Sequence, residues 1–470
     1  MKFISYGAAR QVTGSMHLLE LENGFRVLID CGLDYETKKK SLTDNNRFFD
    51  FDVKSIDVVI LTHAHIDHSG NLPNLVKQGY AGQILCTAPT YDFCSHLLMD
   101  SVNVQLSELN KNNTKGKRRK PKATNASDLL YTPKDVMETL RRMVTFNFNK
   151  EIEIADGMHF TFVPAGHILG AASVLFRVEE KDKEIKIGFT GDLGRVNANL
   201  VVDPSPMLNL DYLVCESTYG GKLHHDTESP EDILMRHIQA TCIDKSGRLI
   251  IPAFSVGRTQ AILYSLHKLY KQGRFNNIKV FVDSPLAIES TSIYTKYHEL
   301  LNDDARDFLR TNGSLFDFPL MLEVENMRES EAIMSHYEPC IIVSAAGMVE
   351  GGRIVEHVYN NLQNPQSEIL IAGYCAEGTL GWQLKQPDPY VTIRGKQIPK
   401  YCTIASTDIF SSHPGHQMLM DYAKLYDAKS LKKLFLVHGD EKSLEAFQLA
   451  LKKDGFNAEV TEKDFTYRIN

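Results

Sequence analysis

The chain has 470 residues, of which 43% are hydrophobic, and a formal net charge of −7 at pH 7. This length predicts two or three domains, or one core domain with a large insertion, and the apolar content is ample for a core. No apolar run approaches the roughly 18 residues of a transmembrane helix, and the net charge alone does not indicate a nucleic-acid-binding protein.

The eight cysteines are scattered along the chain and form no Cys-x-x-Cys pair. Most of them lie inside apolar segments, as reduced cysteines of a protein core do, so a structural zinc site built on them is not expected. The first residues lack the long apolar region of a secretory signal. We therefore expect a cytoplasmic protein with no membrane partner.

The chain is predicted to begin with strands. Residues 2–7 and 17–21 have strand character on either side of a glycine-bearing turn, and residues 25–30 form a third strand that ends in Asp30. This carboxylate either forms a turn or orients a metal-binding histidine by accepting a hydrogen bond from its ring.

The most informative stretch follows an apolar strand at residues 58–61 and contains His63, His65, Asp67 and His68. Neutral imidazole and carboxylate are ligands for zinc and other borderline divalent ions. In an extended segment, residues two apart point the same way, so His63 and His65 can share one metal. Asp67 and His68 lie past the strand and can point at a second metal. This spacing differs from the helical His-Glu-x-x-His pattern.

A helix is predicted over residues 89–109, and a basic segment follows it. Residues 111–122 contain seven basic residues and no acidic one, whereas the rest of the chain is acidic. Such a run is usually a solvated loop, but it also suits contact with phosphates. We single out Lys117, Arg118 and Arg119 as candidate phosphate contacts.

Five later strand-like segments each lead to a potential metal ligand or catalytic group. The groups, in chain order, are His167, Asp192, Glu216, His413 and His438. Several strands that deliver histidine or a carboxylate at one end predict a sheet whose edge forms a pocket, with loops that gather a site from distant parts of the chain.

Between Glu216 and Tyr401 strands and helices alternate, which predicts a parallel α/β unit of ordinary domain size. Because His413 and His438 lie beyond it, this unit interrupts the metal-binding domain. The predicted boundaries are residues 1–217 and 400–470 for the metal-binding domain, and residues 218–399 for the inserted domain.

These motifs resemble those of the metallo-β-lactamase fold, specifically its β-CASP branch of nucleic-acid-processing enzymes, and the resemblance covers essentially the whole chain. The hydrolase motifs are matched by Thr-His-Ala-His-Ile-Asp-His-Ser-Gly at 62–70, Pro-Ala-Gly-His at 164–167, Thr-Gly-Asp at 190–192 and Val-His-Gly at 437–439. The branch-specific motifs are matched by Glu216 in Cys-Glu-Ser-Thr-Tyr-Gly and by His413 in Phe-Ser-Ser-His. Further segments familiar from the branch occur at 254–258, 282–286, 346–353 and 373–379.

The resemblance implies an α/β fold, a metallo-β-lactamase αββα sandwich with an inserted α/β β-CASP domain. It implies two Zn²⁺ ions with ligands divided between them. One ion would be bound by His63, His65 and His167, the other by Asp67, His68 and His438, and both by Asp192. The implied activity is that of a zinc-dependent nuclease that hydrolyses single-stranded RNA through a metal-bridging hydroxide and leaves a 3′-hydroxyl and a 5′-phosphate.

The resemblance also implies roles for residues beyond the metal ligands. His413, paired with Glu216, would protonate the leaving oxygen, and we count Asp67 with these two among the catalytic residues. The sequence departs from the family pattern directly after His413. The family usually has Ala-Asp after this histidine, whereas here His413 precedes Pro414, Gly415 and His416. We interpret His416 as a surface residue, and the alternative is a substitute polar partner.

Arg258, Arg353 and the backbone around Gly347 are further candidates for phosphate contacts. The alternatives are a salt bridge at a helix start for Arg258 and ordinary turns for the glycines. Residues of this kind do not separate RNA from DNA or an endonuclease from a 5′-exonuclease, and they do not fix the oligomeric state. A homodimer is an open expectation, because dimers are common among proteins of this kind.

Three other functions are less compatible with the sequence. A small-molecule hydrolase, such as a lactonase or thioesterase, needs neither the long insertion nor His413. A non-catalytic scaffold is disfavoured because every expected ligand is present. An iron-based oxygen or nitric oxide reductase would have a carboxylate in place of a histidine of the first motif, and a flavin domain that is not visible here.

Overall fold

The structure is a computed structural model that describes residues 1–36, 42–115, 129–180, 183–223 and 228–470. The chain folds into two compact units. The first unit comprises Met1–Val196, Asp203–Leu223 and His413–Asn470, and the second comprises Asn197–Val202 and His224–Ser412. Among the described residues, no helix has both the length and the apolar character that crossing a membrane requires.

The chain up to Glu216 supplies most strands of the first unit. They are β1 (Lys2–Gly7), β2 (Met16–Glu20), β3 (Arg26–Ile29), β4 (Val58–Ile60), β5 (Gln83–Cys86), β6 (Met143–Thr145), β7 (Glu151–Ala155), β8 (Met158–Pro164), β9 (Ala172–Glu180), β10 (Lys183–Phe189) and β11 (Tyr212–Glu216). The helices between them are α1 (Leu42–Asn46), α2 (Ile66–Ser69), α3 (Leu72–Lys77), α4 (Ala88–Lys115) and α5 (Pro133–Arg142).

The second unit alternates helices and strands. They are α6 (Pro230–Ile238), β12 (Arg248–Pro252), α7 (Arg258–Lys271), β13 (Lys279–Val282), α8 (Pro285–Lys296), α9 (Asp303–Asn312), β14 (Met321–Glu323), α10 (Met327–Met334), β15 (Cys340–Ser344), α11 (Ile354–Asn361), β16 (Glu368–Ile371), α12 (Leu380–Lys385), β17 (Tyr390–Ile393), β18 (Lys396–Pro399) and β19 (Thr403–Ser406). The chain then returns to the first unit. The last elements are α13 (His416–Ala423), β20 (Lys433–Val437), α14 (Glu441–Lys453), β21 (Ala458–Val460) and β22 (Thr466–Arg468).

The first unit is built on two seven-stranded sheets, ordered β22-β1-β2-β3-β4-β5-β6 and β21-β20-β11-β10-β9-β8-β7. Their facing side chains form one apolar core, to which Phe3 of the first sheet and Phe160, Phe189 and Phe435 of the second contribute buried rings. Helices α13 and α14 cover the outer face of the second sheet with buried apolar side chains, such as Leu419 of α13 and Phe447 of α14. This is the two-sheet sandwich that the predicted fold class requires.

The second unit has a six-stranded sheet ordered β14-β13-β15-β12-β16-β19, in which every pair of neighbours is parallel. Buried apolar strands with helical connections explain the alternating pattern of its sequence. Packing divides the chain at His413 rather than at residue 400, because β19 pairs with β16 and completes this sheet. The boundaries at residues 217/218 and 399/400 stay predictions of the family domains.

A buried carboxylate stabilises the C-terminal end of β13. Asp283 accepts hydrogen bonds from Ser330 Oγ at 2.5 Å, Arg353 Nη1 at 2.7 Å and His357 Nε2 at 2.6 Å. Burial opposes ionisation, but these hydrogen bonds hold the pKa of Asp283 below its ordinary value. The charged network joins β13 to α10 and to the start of α11.

Replacing Asp283 with alanine should destabilise the second unit by about 3–5 kcal/mol, because the substitution leaves a largely buried arginine without its carboxylate. The matched control is Asp303→Ala, which removes an exposed carboxylate paired with Arg306 and should hardly change stability. The single tryptophan, Trp382, lies in the second unit, so its fluorescence in a urea titration reports this unit. Equal unfolding midpoints for the two variants would contradict the assignment.

Candidate metal centre

The predicted ligands of the first unit follow strand ends that lie at one edge of the two sheets. His63 and His65 follow β4, and Asp192 and His438 follow β10 and β20. Strands β10, β11 and β20 are parallel neighbours, so their carboxyl ends meet at the same edge. The loops after these ends therefore deliver ligands from distant parts of the chain to one place.

Two glycines allow the ligand loops to pack this closely. A Cβ atom on Gly32 would lie 1.6 Å from the carbonyl oxygen of Asp67, and one on Gly194 would lie 1.8 Å from that of Gly166. The backbone after β3 can therefore lie against α2 only if residue 32 is glycine. In the same way, the chain that follows Asp192 reaches the loop of His167 only through a residue without a side chain.

The first group of ligands brings three imidazole nitrogens together. His63 Nε2 and His167 Nε2 lie 3.2 and 3.1 Å from His65 Nδ1. Nitrogen ligands of a tetrahedral zinc ion lie about 3.3 Å apart, since the Zn–N distance is about 2.0–2.1 Å. The Oδ2 atom of Asp192 lies 3.5 Å from His63 Nε2 and 3.6 Å from His167 Nε2. The four side chains thus fit one metal ion.

The second group lies on the other side of Asp192. His68 Nε2 and His438 Nε2 are 3.1 Å apart, and Asp67 Oδ2 lies 3.6 Å from His438 Nε2. The Oδ1 atom of Asp192 lies 3.2 Å from His68 Nε2 and 3.5 Å from His438 Nε2. One carboxylate oxygen of Asp192 therefore faces each group of ligands. All seven predicted ligands are brought together.

The electrostatics of this buried centre favour cations. Burial lowers the pKa of His63 and His167, and lowers that of His65 to about 4, so these imidazoles stay neutral and able to bind metal. Burial also opposes a charge on His68, but Asp192 and Asp30 raise the pKa of His68 well above its ordinary value. The buried carboxylates thus attract positive charge, which a bound metal ion would supply.

Asp30 lies next to His68, which fits the second of its two predicted roles, the orientation of a metal-binding histidine. Its Oδ2 atom is 2.7 Å from His68 Nδ1, and it accepts hydrogen bonds from the backbone N–H and hydroxyl of Thr62, each at 2.8 Å. These contacts leave His68 Nε2 directed at the centre.

Two threonines that orient ligands were missed in the sequence. The Oγ1 atom of Thr62 lies 3.1 Å from His63 Nδ1, and that of Thr218 lies 3.0 Å from His438 Nδ1. Thr62 directly precedes the histidine motif, so its position was a usable signal. Thr218 stands in the motif Cys-Glu-Ser-Thr-Tyr-Gly, but the motif does not point to its partner His438, which lies 220 residues along the chain.

His413 and Glu216 form a pair beside the two ligand groups. Glu216 Oε1 lies 3.0 Å from His413 Nδ1, and His413 Nε2 lies 3.9 Å from Asp192 Oδ2. Burial lowers the pKa of His413, but the carboxylates of Glu216, Asp192 and Asp67 outweigh it and raise the pKa above its ordinary value. The Nδ1 atom of His413 therefore faces Glu216, and its Nε2 atom faces Asp192.

Arg258 and Gly347 lie in the second unit. The Arg258 side chain is buried, its Nε donates to the carbonyl of Phe410 at 3.3 Å, and its guanidinium carbon lies 4.6 Å from the centre of the Phe254 ring. A Cβ atom would lie 3.1 Å from Arg258 Nη1 if placed on Gly347, and 2.6 Å from Nη2 if placed on Gly373. The two glycines therefore make room for the guanidinium group, and they are more than ordinary turns.

Arg353 does not match the expectation of a phosphate contact. In addition to its bond with Asp283, it donates to the backbone carbonyls of Val324 and Glu325 at 2.9 and 2.8 Å. Because its guanidinium group is committed to these three acceptors, we assign it to the packing of the second unit. The other predicted phosphate contacts, Lys117, Arg118 and Arg119, lie outside the described residues.

Comparison with known proteins identifies the family. The family model of the metallo-beta-lactamase superfamily matches residues 9–229, that of the Beta-Casp domain residues 259–384, and that of the Zn-dependent metallo-hydrolase RNA specificity domain residues 397–461. A ribonuclease of Thermus thermophilus is 30% identical over 448 residues, which cover 95% of each chain. The chain belongs to the β-CASP family of the metallo-β-lactamase superfamily. The resemblance, the fold class and the prediction of a metal-dependent hydrolase of a nuclease family are thereby confirmed.

Other β-CASP relatives are longer. Transcription termination factor FttA of Methanocaldococcus jannaschii is 30% identical over 451 residues, which cover 93% of this chain and 66% of that protein. Cleavage and polyadenylation specificity factor 73 of Drosophila melanogaster is 27% identical over 456 residues, which cover 95% of this chain and 61% of that protein. A solved structure, a protein of unknown function from Enterococcus faecalis V583, matches with a TM-score of 0.54 at 14% identity over 99% of both chains, which shows the shared fold.

Asp30→Asn should weaken metal binding about 10- to 100-fold, because the amide holds His68 less firmly than the carboxylate does. The control is Asp50→Asn, which changes an exposed aspartate whose carboxylate lies 3.4 Å from the exposed Lys463 Nζ. Competition with a chromophoric chelator measures both affinities. Equal affinities for the two variants would show that Asp30 does not support the centre.

Proposed function

We propose that this β-CASP protein is a zinc-dependent nuclease that hydrolyses phosphodiester bonds of single-stranded RNA and leaves a 3′-hydroxyl and a 5′-phosphate. The observation that carries the proposal is the position of Asp192, whose two oxygens face two separate groups of ligands. The family model for an RNA specificity domain and relatives named as ribonucleases support RNA as the substrate.

The donor set supports two zinc ions. Imidazole nitrogens with a few carboxylate oxygens suit zinc better than magnesium or calcium, which prefer oxygen ligands. We assign His63, His65 and His167 to one ion and Asp67, His68 and His438 to the other, with Asp192 shared. Two ions so held would ionise a water molecule near neutral pH and offset the charge that develops on the phosphate.

The protein's own part in bond cleavage is the transfer of a proton. His413 donates from Nδ1 to Glu216, which leaves the Nε2 proton directed towards Asp192 and the phosphate that the centre would bind. As the bond between phosphorus and the 3′-oxygen breaks, His413 protonates that oxygen, and the buried carboxylate of Glu216 stabilises the charged imidazole beforehand. Glu216 itself stays in place through hydrogen bonds from the backbone of Leu193 and Thr218.

The alternatives differ in substrate. A lactonase or thioesterase would use the same metals, but a small substrate needs neither the long inserted domain nor the pair of His413 and Glu216. A DNA-directed nuclease would share the whole centre and stays an alternative. We further propose a cytoplasmic location, supported by eight buried cysteines that form no disulfide, and a homodimer on the family resemblance alone.

Incubation of the zinc-loaded protein with 5′-labelled single-stranded RNA and DNA, each with and without a 5′-phosphate, tests the proposal. We expect cleavage of RNA to products that carry a 3′-hydroxyl, and product lengths will separate internal cleavage from stepwise removal of 5′ nucleotides. Cleavage of DNA alone would favour the DNA-directed alternative. Hydrolysis of lactones or thioesters without cleavage of either nucleic acid would contradict the proposal.

His65→Ala should abolish metal-dependent RNA cleavage, by a factor on the order of 10³ or more, because groups that act as a unit fail together. The variant should still fold, which circular dichroism will show, because the fold of the first unit rests on the apolar core between its two sheets. A folded variant that cleaves RNA at the wild-type rate would rule out the assignment of His65.

Neutralising Lys117, Arg118 and Arg119 to glutamine should make RNA binding less dependent on salt. Each phosphate contact with a single strand contributes about 0.7 to the slope of log affinity against log salt, so three contacts should reduce it by about 2. The same change at the exposed Lys429, Lys452 and Lys453 is the control. An unchanged slope in the first variant would reduce the basic segment to a solvated loop.

A further inference from the structure

His416 is held inside the first unit by contacts that the sequence did not predict. Its Nδ1 atom donates to the carbonyl of Gly220 at 2.5 Å, and its backbone N–H donates to the carbonyl of Lys222 at 2.8 Å. Its ring also lies 6.2 Å from that of Phe447, edge to face. The side chain is only partly exposed, so the interpretation of His416 as a surface residue is corrected: it bonds to the turn at residues 219–222.

His416 bonds to the turn at residues 219–222, which follows Glu216 closely in the chain. This turn packs tightly on α14, since a Cβ atom on Gly220 would lie 2.7 Å from both Phe447 Cβ and the carbonyl oxygen of Ser443. The turn presents the buried ring of Tyr219, whose centre lies 6.0 Å from that of the His413 ring at an angle of 73°. His413 therefore has the Glu216 carboxylate and the Tyr219 ring as neighbours.

We propose that His416 is a positioning residue that holds His413 against Glu216, an inference that rests on the proposed role of His413 as proton donor. Only Pro414 and Gly415, both buried, separate the two histidines. The contacts form a closed loop. His413 packs against the Tyr219 ring, Gly220 follows Tyr219 and accepts a bond from His416, and the chain leads from His416 back to His413. The Nδ1 bond of His416 closes this loop, and it fixes the start of α13 relative to the turn.

The rate of catalysis depends on the distance between the general acid and the leaving oxygen. A positioned acid contributes about 10²–10⁴-fold to the rate, and a misplacement of about 1 Å can cost on the order of 10²-fold. Removing the Nδ1 donor leaves the backbone bond to Lys222 in place, so the start of α13 loosens without being released. His413 then spends less time with its Nε2 proton directed at the leaving oxygen.

The test compares three substitutions of His416 and one control. The amide nitrogen of His416→Asn lies at about the position of Nδ1, whereas that of His416→Gln lies one bond farther out and His416→Ala has none. The control is His298→Ala, because His298 Nδ1 also bonds a backbone carbonyl, that of Thr295 at 3.0 Å, but lies in the second unit. We expect His416→Ala and His416→Gln to lower kcat about 10- to 100-fold at unchanged KM and zinc content, and His416→Asn to restore it to within about threefold.

A substrate with a sulfur leaving group distinguishes misplacement of His413 from a general loss of activity. In an RNA with sulfur in place of the 3′-bridging oxygen at the scissile bond, the leaving thiolate needs no proton, because a thiol ionises near pH 8.5. On this substrate His416→Ala, His416→Gln and the control should match the wild-type rate. A deficit that persists on the sulfur substrate would overturn the positioning role, and so would wild-type activity of His416→Ala and His416→Gln on the oxygen substrate. A wild-type protein that cleaves neither RNA would overturn the proposed function itself, and this role with it.

Discussion

The carboxylate of Asp192 is buried between two groups of imidazoles, and the rest of the centre is arranged around it. A lone carboxylate in such a place would lose its hydration and take up a proton, but the surrounding histidines hold the pKa of Asp192 well below its ordinary value against the effect of burial. His68 lies against this carboxylate and that of Asp30, and the two raise the pKa of His68 well above its ordinary value. A divalent ion on each side would supply positive charge beside the same carboxylate, and His68 would then bind as a neutral ligand.

Both compact units use buried carboxylates to fix the loops that follow strand ends. In the first unit, Glu216 ends β11 and accepts bonds from two backbone N–H groups as well as from His413. In the second unit, Asp283 follows β13 and accepts from a serine, an arginine and a histidine. The chemistry is similar, but only Glu216 has a partner that faces a metal centre, so only that carboxylate is assigned to the reaction.

Much of the centre could be predicted from the sequence because its signals are local. The motif from His63 to His68 is contiguous, and the later ligands stand directly after apolar strands, which places them at one sheet edge. The supporting contacts could not be predicted in this way, because their partners are remote. Thr218 lies 220 residues from His438, and His416 lies 196 residues from Gly220. The hydrogen bond of Arg353 to Asp283 could not be predicted for the same reason, since only the fold brings the two residues together.

The central claim, that one shared carboxylate organises two metal ions for the hydrolysis of RNA, is tested most directly by titrating the metal-free protein with zinc while single-stranded RNA cleavage is followed. We expect saturation at two zinc ions per chain in the wild-type protein, with cleavage rising fully only as the second ion binds. Full activity at one zinc ion per chain, or two bound zinc ions without any cleavage of RNA, would contradict it.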